Sequence, residues 1–75
     1  MATFNGHRSW NAWNVSLWIN NDEGLYTLAQ HHIKTSPVLD TAARRMLRDL
    51  AGQRTPDGAV YNYTSIREAI RNIED

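Results

Sequence analysis

Apolar residues recur at helical spacing in four stretches of the chain, and turn or capping residues separate the stretches. The first begins after Ser9, a residue suited to cap a helix. At 100° per residue, Trp10, Trp13 and Leu17 fall on one side of this segment, while Ala12, Val15 and Ile19 fall on the opposite side. Narrow polar stripes, Asn11 with Asn14 and Ser16 with Asn20, divide the two. A helix apolar on two sides is normally packed by neighbours on both, so this segment is expected to be central. A strand is the competing reading, because Trp13, Val15, Leu17 and Ile19 alternate with Asn14, Ser16 and Asn20, broken only by Trp18. The length from Ser9 to Asn20, with no hairpin partner of equal length behind it, favours the helix.

Asn20-Asn21-Asp22-Glu23-Gly24 interrupts the pattern. Asn20 or Asn21 can cap a second helix, with Asp22 and Glu23 in its first turn, where the positive end of the helix dipole favours acids. Gly24 costs about 1 kcal/mol relative to alanine in such a turn, which suggests a close backbone approach or a tight corner. Leu25, Leu28, Ala29 and Ile33, with Tyr26 beside them, supply an inward stripe ending near Lys34. Ser36-Pro37 restarts the chain as a capping serine followed by proline at the first helical position. Val38, Leu39, Ala42, Ala43, Met46, Leu47 and Leu50 follow at spacings of three and four, and Gly52 ends the segment. Asp40 precedes Arg44 by one turn, a helix-supporting pair.

Thr55-Pro56-Asp57-Gly58 has turn chemistry at every position. Ala59 to Tyr63 is short and β-prone, hence extended, with no obvious partner strand. Ser65 and Glu68 have the spacing of a capping box, and Ile66, Ala69, Ile70 and Ile73 predict a last helix from about Ser65 to Ile73. Residues 1–8 carry no apolar period and read as a loose N-terminal arm. The expected architecture is a single all-α domain over residues 1–75: three or four short helices around the tryptophan-rich segment, with one extended piece near 59–63.

Composition changes this picture in two ways. A chain of 75 residues without cysteine has neither disulfides nor thiolate metal sites to staple it. Stability is therefore expected to come from well-packed aromatics, from oligomerisation or from both, with the three tryptophans serving folding first. Eight basic and eight acidic residues give zero formal charge, which argues against a strongly basic nucleic-acid coat or an acidic nucleic-acid mimic. No secretion signal or membrane-length apolar run is present, so a cytoplasmic location is expected.

Candidate chemistry is sparse. Seven of the eight basic residues are arginines, suited to planar carboxylate or phosphate contacts. Arg44 and Arg48 share a helix face, Arg45 flanks it and Arg54 follows, with Arg67 and Arg71 further on. These are candidate partner contacts, for phosphates or for an acidic protein patch, or else a solvated outer face diluted by Asp40 and Asp49. Tyr61 and Tyr63, two apart in an extended segment, form either an aromatic recognition platform or the floor of the core. Asp22 and Glu23 diverge by about 100° on a helix, poor geometry for sharing a proton or metal. His31 and His32 lack the i, i+4 spacing of a zinc site and read as surface residues at a helix end. No phosphate loop, nucleophile elbow, catalytic constellation or cofactor motif is present, so no enzyme, cofactor or metal is expected.

Trp13, Val15, Leu17, Trp18, Ile19, Asn21, Asp22, Glu23, Gly24 and Tyr26 together resemble a motif shared by small proteins of phages, prophages and some archaeal genomes. Thr55-Pro56-Asp57-Gly58-Ala59 with its following aromatic resembles a second shared element. The family often has a tyrosine and a glutamate ahead of the first tryptophan, where this chain has Trp10 and Asn11. The resemblance implies no general activity. Small non-catalytic phage proteins commonly bind a host protein, so it implies an inhibitor or modulator of a host protein or defence complex, such as a CRISPR effector. Such a protein would be a monomer or homodimer acting by surface occlusion in the host cytoplasm. A nucleic-acid-binding accessory factor using the same arginines is the alternative.

Overall fold

Residues 9–74 are described by a computed structural model; the arm expected over 1–8 lies outside the described residues. Four helices follow one another: α1 (Trp10–Asn21), α2 (Glu23–Thr35), α3 (Leu39–Leu50) and α4 (Tyr63–Glu74). The all-α bundle is as the periodicity predicts, and the segment with competing strand periodicity is helix throughout. Ser9 caps α1, its hydroxyl accepting from the Ala12 N–H at 3.1 Å.

The core is aliphatic. Val15 and Ile19 of α1, Met46 of α3, and Ile66 and Ile70 of α4 are its largest fully buried apolar side chains. Ala29, Ala42, Ala43 and Ala69 are also buried, and their small side chains let the helices approach closely. Leu25, Leu28, Ile33, Leu39, Leu47 and Ile73 pack around them.

The tryptophans are not in this core, contrary to expectation. Trp10 is 40% exposed and Leu17 38%, while Trp13 and Trp18 are half-buried. Of the two apolar sides of α1, only Ala12, Val15 and Ile19 face the interior. Nor is α1 the central helix. It packs on α2 and α4 and makes no contact with α3, whereas α2 and α4 each touch all three other helices. The neighbour that a second apolar side would require is missing.

The helix ends differ from expectation in instructive ways. Asn20 and Asn21 do not cap α2, because their amides fold back onto their own helix, donating to the carbonyls of Ser16 at 2.8 Å and Leu17 at 2.7 Å. Asp22 takes both jobs. Its N–H closes α1 on the Trp18 carbonyl at 2.9 Å, and its carboxylate opens α2 by accepting from the Leu25 N–H at 2.9 Å. Ser36 does not start α3; it is the C-cap of α2, and its hydroxyl accepts from Arg45 at 3.2 Å. The helix instead begins after Val38, which has no side chain able to cap it. Asn62, not Ser65, caps α4: its Oδ1 accepts from the Ser65 N–H at 2.9 Å, so the helix starts two residues early, at Tyr63.

Gly52, at φ 81°, stands just past the end of α3 as expected. Gly24 has no such reason to be glycine. It lies within α2, and a Cβ there would meet only the Asp22 carboxylate, at 3.4 Å, an ordinary contact. Gly24→Ala is therefore expected to stabilise the protein by about 0.5–1 kcal/mol through reduced chain entropy, read as a rise of a few degrees in a thermal melt followed by circular dichroism.

Candidate functional site

The segment between α3 and α4 is tied down by a row of α1 side chains. Thr55 to Gly58 form a turn closed by Gly58 N–H to Thr55 C=O at 2.8 Å, and Gly58 sits at φ 95°, which a residue with a side chain rarely adopts. Arg54 and Val60 meet in an antiparallel bridge, giving the β-prone residues a partner. Asn11 acts as a further neighbour: its Oδ1 accepts from the Val60 N–H at 2.8 Å, and its Nδ2 donates to the Val60 carbonyl at 2.9 Å and to Ser65 Oγ at 3.0 Å.

One turn along α1, the buried Asn14 receives the Thr55 hydroxyl at 2.6 Å and donates to Asp57 Oδ2 at 2.9 Å. Another turn on, Trp18 Nε1 donates to that same Asp57 oxygen at 2.9 Å. The two donors, Asn14 first and Trp18 second, hold the Asp57 carboxyl below the usual carboxylate range. Residues 13–26 and 55–59, the two stretches on which the family resemblance rests, thus meet in one hydrogen-bonded joint. Asn14 and Trp18 belong to the architecture here.

The candidate contact residues separate. Tyr61 is buried beneath this segment, and loss of solvation pushes its hydroxyl pKa up, with the nearby Asp22 adding to the effect. Tyr63 is the first residue of α4. The two tyrosines therefore form no shared platform: Tyr61 closes the core, and Tyr63 is half-buried at the junction of α3 and α4. There the Tyr63 hydroxyl donates to Asp40 Oδ1, and Arg44 Nε donates to Asp40 Oδ2 at 2.9 Å. The Arg44 guanidinium lies 5.0 Å from the centre of the Tyr63 ring. Tyr63 foremost, and then Arg44, keep the Asp40 carboxyl below its ordinary range, while Asp40 raises the Tyr63 hydroxyl. Arg67 lies close enough to act electrostatically on both.

Arg48 is exposed one turn beyond Arg44 on α3. Arg45 is instead a structural clasp, donating to the Thr35 carbonyl and Ser36 Oγ, each at 3.2 Å. Arg54 spans its own turn to the Gly58 carbonyl at 3.2 Å. The structure therefore brings Arg44, Arg48, Tyr63 and Arg67 to one surface and places Arg45, Arg54 and Tyr61 elsewhere. Sequence spacing revealed the Asp40–Arg44 pair. Nothing in the sequence signalled that Tyr63, 23 residues further on, would complete it.

Of the two adjacent histidines, one departs from expectation. His31 is exposed, but His32 is buried, with Nε2 2.6 Å from Asp49 Oδ2 on α3 and Nδ1 enclosed without a partner. Among the described residues no group of three or more His, Cys, Asp or Glu could hold a metal ion. An open cleft of about 210 Å³, lined by Gln30, Ile33, Lys34 and Ile73, contains none of the candidate contact residues.

A four-helix domain bearing a surface of arginine and tyrosine side chains is the class that these features define. The chain belongs to the family of unknown function DUF7249, whose model matches residues 1–75. No curated protein and no solved structure matches it. Among the described residues no helix is long and apolar enough to cross a membrane.

Two outcomes test the joint. Asn14→Ala is expected to cost about 2–3 kcal/mol in chemical denaturation, because it strands the Thr55 hydroxyl and removes a donor to a carboxylate. The Asp57 carboxyl has a folded pKa below its ordinary 3.8. Its stabilising effect is therefore complete above the unfolded value and is lost as the pH falls through the folded one. Asp57→Asn is expected to flatten the fall in stability below about pH 4, measured by tryptophan fluorescence during acid titration.

Proposed function

We propose that this protein is a binding module that inhibits or modulates a host protein or defence complex by covering an acidic surface on it. The observation that carries the reading is the exposed Arg44 guanidinium held over Tyr63 and hydrogen-bonded to Asp40. Its side chain is 68% exposed yet held in one orientation, which reduces the entropy lost when a carboxylate binds it. Arginine and tyrosine, with tryptophan, are the residue types enriched among binding hot spots. Arg48, one turn beyond on α3, and Arg67, which acts electrostatically on Asp40, add positive charge beside Arg44. Charge complementarity favours an acidic partner. The resemblance to small phage and prophage proteins supports a host protein as that partner, with complexes that attack foreign nucleic acid as the leading class.

Affinity purification of the tagged chain from nuclease-treated prokaryotic lysate is expected to return a stoichiometric protein partner. The double variant Arg44→Glu with Arg48→Glu should keep its helical circular dichroism and lose that partner at least tenfold. Wild-type binding should weaken between 50 and 500 mM salt. If nuclease abolishes the complex and the pure chain shifts arbitrary DNA or RNA fragments, the same arginines bind phosphate and the protein-inhibitor reading falls.

A further inference from the structure

The outward face of α1 presents Trp10, Trp13 and Leu17 at i, i+3 and i+7, opposite the side that builds the core. Trp10 at 40% and Leu17 at 38% exposure are two of the four large hydrophobic residues most exposed among the described residues, and Val60, held against Asn11 beside them, is a third. We infer that this face is a self-association surface, on which α1 pairs antiparallel with α1 of a second copy of the chain.

Charge selects the occupant. α1 contains no Lys, Arg, Asp or Glu in its twelve residues, while each of the other three helices carries both signs. The stripe itself gives a charged partner nothing to pair with, and the Asp57 carboxylate beside it is already engaged by Asn14 and Trp18, the latter about 100° round the helix from Leu17. The polar residues near its C-terminal end are Asn20 and Asn21. Their amides already donate to Ser16 and Leu17 carbonyls of the same helix, so covering this end strands fewer donors.

The spacing is self-complementary about a two-fold axis. A helix of this length spans about 18 Å, and its apolar knobs at positions 10, 13 and 17 are nearly symmetric about a point beside Trp13, in its N-terminal half. In an antiparallel pair Trp10 packs against Leu17 of the second copy, and the two Trp13 rings meet near the axis, as an isologous interface requires. The antiparallel arrangement also opposes the two helix dipoles.

The area sets the strength. What remains exposed on these residues falls short of the ~800 Å² per partner of a standard interface, so the pair is a weak, exchanging one. Arg44 and Arg48 lie on α3, which α1 does not touch. The inference therefore stands or falls independently of the proposed host partner.

Analytical ultracentrifugation of the purified chain tests it. At about 1 mM the wild type is expected to sediment mainly as a dimer, and below about 10 µM as a monomer, with a blue shift in tryptophan emission as concentration rises. Association should persist between 50 and 500 mM salt, and it should be unaffected by Arg44→Glu with Arg48→Glu. Leu17→Glu should abolish association while leaving the helical circular dichroism and the dilute-solution melting curve in place. Should that variant fail to fold, Trp10→Lys, at the first residue of α1, carries the test. A wild type that stays monomeric at 1 mM overturns the inference, as does a dimer that survives the folded variant.

Discussion

Asn14 is the constraint on which the rest of this structure depends. It is a polar residue at 2% exposure beside an aliphatic core, a position that is costly unless its amide is paired. The Thr55 hydroxyl satisfies its oxygen and the Asp57 carboxylate takes its nitrogen. These bonds settle where the residues between α3 and α4 must lie, because only that turn returns both groups to α1. Thr55 in turn accepts the Ala59 N–H at 2.9 Å, so the same hydroxyl that anchors the segment also shapes it. Asn11 and Trp18 extend the row by one turn each way, and Asn11 bonds both backbone groups of Val60 as a neighbouring strand would. Ala59 and Tyr61 can then close over the core.

The tryptophan-rich motif has an unexpected physical meaning in this light. Of its aliphatic members Val15 and Ile19 are buried and Leu17 is exposed, while the larger aromatic rings lie at the boundary. Trp18 works through its indole nitrogen as much as through its area. A small domain gains little from three tryptophans in the interior if alanines and isoleucines already fill it to normal density. The rings then become available for lateral contacts, with the turn at 55–58 in the case of Trp18 and with solvent in the case of Trp10.

Elements governed by local periodicity were legible in the sequence: the four helices, the Ser9 cap, the Asp40–Arg44 pair, Gly52 after α3 and the turn at 55–58. What was not legible depended on choices between equivalent local options. Asn20, Asn21 and Asp22 are all good caps, and the structure uses Asp22 because the asparagine amides are occupied by their own helix. Ser36 and Ser65 fit capping patterns, yet each hydroxyl is engaged by a residue distant in sequence, Arg45 and Asn11. The wheel of α1 correctly showed two apolar sides but carried no information about which would find a neighbour. His32 and Tyr61 went inside, and Tyr63 joined Asp40, through contacts between helices that no single-segment pattern encodes. The candidate surface was thus half legible: Arg44 and Arg48 could be placed together from spacing alone, whereas the tyrosine that orients Arg44 could not.

The joint at Asp22 has a mechanical consequence. α1 and α2 share one residue, with φ −94° and ψ 119°, and both helices are hydrogen-bonded to it, α1 through its N–H and α2 through its carboxylate and its carbonyl. There is no slack between them: any rotation of α1 about its axis must be absorbed by those two dihedral angles or break a cap. The direction in which Trp10, Trp13 and Leu17 point is therefore geared to α2 at one end and set along its length by packing on α4. α1 behaves as an arm welded at the elbow, and a force applied to its outer face is delivered to the core as torque.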